Sequence, residues 1–298
     1  RGYDENLSLG SLAGAGTLGI LIPPSIIMIV YAVAADVSIA KLFVAGVLPG
    51  LLLMAIFSAY IMIWAWRNPD LVPVADDSMS FGQKVHAARH LIPIVSLIAL
   101  VIGAIYSGIA TATESAAMGV AGALVLSKLE GSLNWARFKE GLFAACRVYC
   151  MIGLILAGAA FLTLAMGFIG LPREVAQFIG GLQLSQFWLL ALLMVFFIVL
   201  GCFLDGISMV VLTMAVLLPT VQAAGIDLIW FGVFVVLVVE MAQITPPVGF
   251  NLFVLQGLTK RELPELAHMA MPFFALLVLA VLLIYAFPQI VLVGPSLM

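Results

Sequence analysis

Charged residues are scarce in this sequence. Asp, Glu, Lys and Arg make up 9% of the 298 residues, and 64% are hydrophobic, whereas a soluble domain carries about 25% charged residues. A water-soluble fold cannot bury so much apolar surface. Because a membrane-spanning helix needs about 20 mostly apolar residues, the composition predicts an all-α, polytopic protein embedded in a lipid bilayer.

The sequence also lacks clusters of basic residues and cysteine spacings typical of metal sites or disulfides. The net charge is −3, and nucleic acid binding requires clustered Lys and Arg, so a nucleic-acid partner is excluded. Cys146 and Cys150 share one helix face and are interpreted as packing residues rather than metal ligands or a disulfide. His86, His90 and His268 have no catalytic or metal-ligand spacing.

Long apolar runs separated by polar breakers predict the membrane-spanning segments. They cover residues 7–35, 39–66, 91–110, 112–127, 141–168, 227–257 and 268–288. Two further apolar limbs, 186–204 and 207–222, are each short for a crossing and are separated only by Asp205 and Gly206. We therefore expect a re-entrant hairpin over 186–222 with its tip inside the membrane. Two ordinary short helices are the alternative.

The distribution of Lys and Arg predicts the orientation. If residues 67–90 are cytoplasmic, most of the basic residues lie inside, and only Lys41 and Arg173 lie outside. The C-terminus is then periplasmic, in the inner membrane of a Gram-negative bacterium. Residues 67–90 are predicted to be a cytoplasmic linker with an amphipathic helix at the membrane surface.

An internal repeat relates the two ends of the chain. A shift of 223 positions (Asp4 onto Asp227) superimposes two sets of residues without a gap. The first set is Gly2, Asp4, Pro23, Pro24 and Pro49, and the second is Gly225, Asp227, Pro246, Pro247 and Pro272. In the predicted topology the copies run in opposite directions, and inverted repeats with broken helices are the architecture of many secondary transporters.

The repeat also predicts how the chain is organised. Residues 1–66 form the second half of repeat one, and residues 91–298 form repeat two, with the hairpin and a second broken helix over 227–257. Repeat two has elements with no counterpart before Gly2. The sequence also begins at Arg1 rather than Met, so we expect a fragment whose N-terminal part, with a first hairpin, is missing.

A double proline interrupts one apolar helix in each copy, at Pro23-Pro24 and Pro246-Pro247. Proline lacks an N–H and clashes with the carbonyl four residues earlier, so carbonyls are freed at membrane depth. Neighbouring side chains and water can satisfy them, which makes the break a simple kink, or a cation can. For an inverted pair we favour sodium. We expect the break at residues 243–249 to pack against the Asp205–Ser208 tip of the hairpin and form one sodium site with it. The candidate ligands are Thr17, Gly19, Ile22, Asp205, Ser208, Gln243, Thr245 and Gly249.

Other polar groups in apolar segments are functional candidates. Asp205 could bind an ion or cap the second hairpin limb, and both roles can coexist. Glu240 lies one turn before the second break and could bind, orient ligands or relay protons. Glu114 is assigned a helix-start role. Arg147 could meet a substrate carboxylate or extend to the membrane surface. The candidate substrate residues are Ser25, Arg147 and Asn251.

Three sequence motifs carry a family resemblance. They are Gly16-Thr17-Leu18-Gly19-Ile20-Leu21-Ile22-Pro23-Pro24-Ser25, Leu204-Asp205-Gly206-Ile207-Ser208, and Ile244-Thr245-Pro246-Pro247-Val248-Gly249-Phe250-Asn251. A fourth run, Thr111-Ala112-Thr113-Glu114-Ser115-Ala116-Ala117, resembles another motif of the same family. The chain resembles the large membrane (M) subunit of tripartite ATP-independent periplasmic (TRAP) transporters, in the ion transporter superfamily.

The resemblance implies a sodium-driven symporter with an elevator mechanism. It implies a small membrane (Q) subunit and a periplasmic substrate-binding (P) protein as partners. The implied substrate is a small organic acid, such as a C4-dicarboxylate, sialic acid or a keto acid. The runner-up is a stand-alone organic anion symporter of the same superfamily. An intramembrane enzyme is not expected, because Asp205 has no second Asp at comparable predicted depth.

Overall fold

The computed structural model describes residues 3–72, 80–247 and 249–298. These residues fold into fourteen α-helices and two short 3-10 helices, Pro69–Leu71 and Arg89–Leu91. The α-helices are α1 (Glu5–Leu21), α2 (Ile26–Ala35), α3 (Ile39–Arg67), α4 (Phe81–Ala88), α5 (Ile92–Tyr106), α6 (Ala112–Leu129), α7 (Trp135–Ile169), α8 (Leu171–Gly181), α9 (Gln186–Gly201), α10 (Gly206–Ala223), α11 (Leu228–Gln243), α12 (Phe250–Thr259), α13 (Leu263–Ala286) and α14 (Gln289–Ser296).

Several of these helices are long and apolar enough to cross a membrane. Within the described ranges, α3, α7, α10 and α13 meet both requirements as single helices, and α1 with α2 meets them as one bent pair. Shorter apolar helices are α5, α9, α11 and α12. The prediction of an all-α polytopic membrane protein is therefore confirmed. Because α10 alone is long enough to cross, its length does not distinguish a re-entrant limb from a crossing helix.

The chain divides into two compact units. One holds the residues up to Val72 together with Leu154–Met298, and the other holds the described residues 80–153. In the second unit, α5 packs against α6, and Gly119 brings α6 close to the Val101 side chain. A capping box of Thr111 and Glu114 starts α6, which confirms the helix-start role of Glu114. The predicted linker helix is α4.

Helix α11 is the centre of the first unit. Every residue from Trp230 to Ala242 is buried, and the helix packs against α1, α3, α9 and α13. The Trp230 indole stacks on Phe234 and donates from Nε1 to the Ile284 carbonyl at 3.1 Å. A helix that is apolar on all sides is stable when other helices surround it, so the uniform hydrophobicity of α11 predicts its central place.

The two copies of the repeat have matching helices. Asp4 caps α1 by accepting from the Leu7 N–H at 2.8 Å, and Asp227 caps α11 by accepting from the Trp230 N–H at 2.9 Å. Each capped helix is followed by a break, a short helix, and a longer helix that contains a proline, Pro49 in α3 and Pro272 in α13. The capping aspartates and the helix prolines therefore have matching structural roles in the two copies.

The two copies pack against each other. Helix α1 packs against α13 and helix α11 packs against α3. Glycines allow close approach on α1, since a Cβ on Gly14 would lie 2.8 Å from Phe273 ring atoms. The two copies therefore share one core, while their opposite orientation in the membrane stays a prediction.

Candidate functional site

The first break separates α1 from α2 by a bend of 44°. Pro23 and Pro24 have no N–H, so the carbonyls of Gly19 and Ile20 cannot receive the usual helical hydrogen bond from them. Ser25 is 2% exposed, and its hydroxyl caps α2 by accepting from the Met28 N–H at 3.3 Å. The side chain predicted to contact substrate is thus in use as a helix cap.

The second break lies between α11 and α12. The Thr245 hydroxyl donates to the Met241 carbonyl at 2.7 Å. Gly249 lies against two backbone acceptors, because a Cβ added there would be 2.8 Å from the Thr245 carbonyl oxygen and 3.1 Å from the Gln243 carbonyl oxygen. Pro247 removes the helical donor for the Gln243 carbonyl. The two carbonyl oxygens therefore both lie close to Gly249, where there is too little room for an added methyl group.

The turn between α9 and α10, residues 202–205, is held by the Asp205 carboxylate. This carboxylate accepts from the N–H groups of Ile207 at 3.0 Å and Ser208 at 3.2 Å, and also from the Ser208 hydroxyl. Asp205 is exposed. The capping role weighed for Asp205 is confirmed, and its role as an ion ligand stays a prediction.

The turn between α9 and α10 contacts the second break, and the start of α10 lies against α2. The Cys202 thiol donates to the Pro246 carbonyl, with 3.2 Å between Sγ and O. A Cβ on Gly206 would lie 2.6 Å from a Val239 methyl carbon, 2.7 Å from the Ile27 Cδ1 atom and 3.6 Å from the Gln243 amide nitrogen. The predicted contact between the tip and residues 243–249 is therefore confirmed.

Helix α12 returns beside α1. The Asn251 amide nitrogen donates to the Ala13 carbonyl at 3.5 Å, and a Cβ on Gly16 would lie 3.3 Å from the same nitrogen. Asn251 and Ser25 both belong to the first compact unit. Arg147 is exposed on α7 and belongs to the second unit. Its substrate role stays a prediction.

A buried polar contact links α1 to α11. Thr17 and Glu240 are both 0% exposed, and the Thr17 Oγ1 atom lies 3.3 Å from the Glu240 Oε2 atom. The same hydroxyl donates to the Gly14 carbonyl at 2.8 Å. Sequence reasoning selected both residues but did not pair them. The signal was available, because the two positions are 223 residues apart, which is the shift that relates the repeats.

The structure thus groups the candidate ligands around the breaks. Asp205, Ser208, Gln243, Thr245 and Gly249 lie at the tip and the second break, and Gly19 and Ile22 lie at the first break. Gly206, at the start of α10, lies close to Ile27 on α2 and to the Gln243 side chain. Apolar spanning helices with two proline breaks, one of them in contact with a polar turn, are typical of membrane proteins of the transporter class.

Comparison with known proteins gives the family. The family model described as "Tripartite ATP-independent periplasmic transporter, DctM component" matches residues 1–290. The chain belongs to this family, whose members are transporter permease subunits and not enzymes.

Several curated relatives match nearly the whole chain. The C4-dicarboxylate TRAP transporter large permease protein DctM of Pseudomonas aeruginosa is 32% identical over 99% of this chain and 69% of its own length. The ectoine/5-hydroxyectoine TRAP transporter large permease protein UehC of Ruegeria pomeroyi is 33% identical over 98% of this chain and 68% of its own length. The isethionate TRAP transporter permease protein DctMQ of Oleidesulfovibrio alaskensis is 32% identical over 95% of this chain and 44% of its own length.

Proposed function

We propose that this chain is part of the large membrane subunit of a sodium-coupled uptake system for a small organic anion. The observation that carries the proposal is the junction of the tip with the second break, where the Gln243 and Thr245 carbonyls converge beside the capped Asp205 turn. Unpaired carbonyl oxygens inside a membrane cost several kcal/mol each. A bound cation stabilises them.

The proposed sodium site combines groups from two elements. The second break supplies the Gln243 and Thr245 carbonyls, and the turn supplies the Asp205 carboxylate and the Ser208 hydroxyl. Oxygen ligands of this kind suit a hard alkali cation. The first break supplies the Gly19 and Ile22 carbonyls to a related site. We leave Thr17 out of the ligand set, because its hydroxyl is engaged by Gly14 and Glu240.

Sodium binding is coupled to substrate binding through the position of the Asp205–Ser208 tip. Because an ion at the junction contacts both elements, its binding orders the turn against the second break and favours substrate binding without touching the substrate. Ser25 and Asn251 of the first unit are proposed substrate residues, and Arg147 of the second unit is a separate substrate proposal. The tip, the breaks and their helices then move together as the transport domain of an elevator.

The names of the relatives support a substrate class and a set of partners. Relatives are named for C4-dicarboxylates, isethionate and ectoine, which supports a small organic substrate with an acidic group. We propose that this group is a carboxylate. We propose a small membrane subunit and a periplasmic binding protein as partners, with this chain in the inner membrane and its C-terminus periplasmic. One relative is named as a permease protein DctMQ.

The test is uptake into proteoliposomes that contain the full-length subunit and its small membrane partner. A panel of labelled organic acids is offered with the periplasmic binding protein, under an inward sodium gradient or an equal potassium gradient. We expect uptake only with sodium and the binding protein. Equal uptake with potassium would contradict the proposed coupling to sodium. Uptake without the binding protein would favour the stand-alone symporter.

A further inference from the structure

Helices α9 and α13 leave a groove between them on the surface of α11. Both helices pack against α11, and the Phe187 and Tyr285 rings meet across the groove with their centroids 5.5 Å apart. Its floor is Trp230 and Phe234, which are buried and stacked on each other. The other lining side chains of this part are apolar and come from α9 and α13. Since the Trp230 N–H is already bonded to a carbonyl, the groove offers a ligand mainly apolar surface.

The groove has a polar mouth where α9 and α11 begin and α13 ends. A second cavity of about 510 Å³ continues from it and shares Leu190, Trp230 and Tyr285 with it. Its lining adds the polar side chains of Gln186 and Asp227. The site therefore changes from polar to apolar along the helices, as a phospholipid does from its headgroup to its acyl chains.

The dimensions of the groove fit a lipid chain better than a further helix. From Gln186 to Met194 the lining runs about 12 Å along α9, at about 1.5 Å per residue. This length is most of one leaflet of a hydrocarbon core about 30 Å thick. The apolar part has about 390 Å³ of free space. An α-helix is about 10 Å across, so this space would hold only about one turn of it.

The charges at the mouth favour one kind of headgroup. Asp227 caps α11 through Oδ1, which accepts from the Trp230 N–H at 2.9 Å, and its Oδ2 atom makes no hydrogen bond or ion pair within the described ranges. Helix α9 begins at Gln186 without a side-chain cap from Ser185, so its first N–H groups can bind an anion. Among the described residues that line the mouth, none is Lys or Arg. The mouth therefore matches a headgroup that carries both an ammonium and a phosphate.

We propose that the groove binds one phosphatidylethanolamine molecule. Its phosphate binds at the start of α9 with Gln186, its ammonium pairs with Asp227, and one acyl chain lies over Trp230 between α9 and α13. An ammonium has three N–H donors, which the trimethylated choline headgroup lacks. Phosphatidylglycerol has a net negative charge, which Asp227 repels. The lipid holds α9, the first limb of the predicted hairpin, in place beside α13.

Photo-crosslinking tests this site without any transport assay or sodium gradient. The full-length subunit with its small membrane partner is reconstituted in phosphatidylcholine vesicles that contain a trace of a phospholipid with a photoreactive acyl chain. The headgroup of this probe is ethanolamine, choline or glycerol, and mass spectrometry maps the labelled residues. We expect the ethanolamine probe to label the facing sides of α9 and α13, and the other two probes to label them about fivefold less.

Variants test the acyl chain and the headgroup separately. Ala191 lines the groove, so Ala191→Phe fills it, and labelling should fall at least about tenfold. The control is Leu192→Phe, because Leu192 is 48% exposed on the same helix and lies outside the lining. Asp227→Asn keeps a capping side chain for α11 but loses the charge, so we expect the ethanolamine probe to lose its advantage over the other two.

The opposite results would overturn the proposal. Equal labelling by the three probes in the wild type, or stronger labelling by the choline or glycerol probe, would show that the mouth does not select ethanolamine. Labelling elsewhere on the subunit but not in the groove would show that another part of the complex covers it. An ethanolamine preference that survives in Asp227→Asn would contradict the ion pair. If Ala191→Phe does not fold, the three probes on the wild type and on Asp227→Asn still decide.

Discussion

The Cys202 sulfur lies 3.2 Å from the Pro246 carbonyl oxygen, so the turn between α9 and α10 is hydrogen-bonded to the second proline break. The two residues are far apart in sequence and belong to different helical pairs. Pro246 contributes no N–H to the break, but its carbonyl becomes the acceptor for the turn. The reactivity of the Cys202 thiol therefore reports whether the turn contacts the second break.

We predict that sodium slows alkylation of Cys202. In a subunit carrying Cys146→Ser and Cys150→Ser, Cys202 is the one cysteine left in residues 1–298. Its side chain is 7% exposed, so a maleimide reacts only when the turn lifts away. If sodium orders the turn, the rate should fall about tenfold, corresponding to about 1.4 kcal/mol. Mass spectrometry of the labelled chain measures the rate, with potassium as the control ion. Equal rates in both salts would contradict an ion-ordered turn.

We predict that Gly249→Ala weakens sodium binding. The added methyl group would lie 2.8 Å from the Thr245 carbonyl oxygen and 3.1 Å from that of Gln243, in the space assigned to the ion. The sodium concentration for half-maximal uptake should rise at least about tenfold. The control is Gly257→Ala on α12, where an added Cβ meets no atom within 4 Å. A wild-type sodium response in Gly249→Ala would show that the ion lies elsewhere.

We predict that Asp205→Asn weakens sodium binding but keeps the helix cap of α10. Asparagine caps helices about as well as aspartate, so thermal stability should hold, while the sodium concentration for half-maximal uptake rises about tenfold because a charged ligand is lost. Asp205→Ala should lose about 1 kcal/mol of stability in addition. Asp4→Asn, at the cap of α1, is the matched control. An unchanged sodium dependence in Asp205→Asn would leave Asp205 with capping alone.

We predict that Gly14→Ala destabilises the first unit by about 1–3 kcal/mol through overpacking. The new Cβ would meet the Phe273 Cγ, Cδ1 and Cβ atoms at 2.8 to 2.9 Å, and Phe273 is 1% exposed, so the ring has little room to move. Thermal unfolding in detergent measures the loss. Gly158→Ala on α7, where nothing lies within 4 Å of an added Cβ, should show no such loss. Adding Phe273→Leu to Gly14→Ala should recover part of the stability, since adjacent sites are coupled.

The helices were largely predictable from the sequence, because their signals are local. Pro23-Pro24 predicted the end of one helix and the start of the next, and α1 ends at Leu21. The matching break after Gln243 followed from the same chemistry. Helices α8 and α14 were not predicted as elements. The first is short and amphipathic, and the second is short and contains Pro295, so neither produces a long apolar run.

The contacts of the site were less predictable, because they join residues that are distant in the chain. The turn at Asp205 was expected beside residues 243–249, but the bond from Cys202 to Pro246 depends on the register between two helices that no local pattern fixes. Ser25 was predicted to contact substrate, and the structure shows that its hydroxyl caps α2 by accepting a hydrogen bond, which leaves its O–H free to donate and its substrate role a prediction. Its residue type fits both roles, so sequence alone could not separate them.

The contact between Thr17 and Glu240 also bears on how the chain evolved. In a dimer of two identical chains, a position on the two-fold axis faces its own copy and must be compatible with itself. Two glutamates there would compete for one proton, and two threonines would leave a gap. Once a duplicated gene encodes both copies in one chain, each copy can change alone. An acid facing a hydroxyl at matching positions therefore means that the two copies are not interchangeable at this contact.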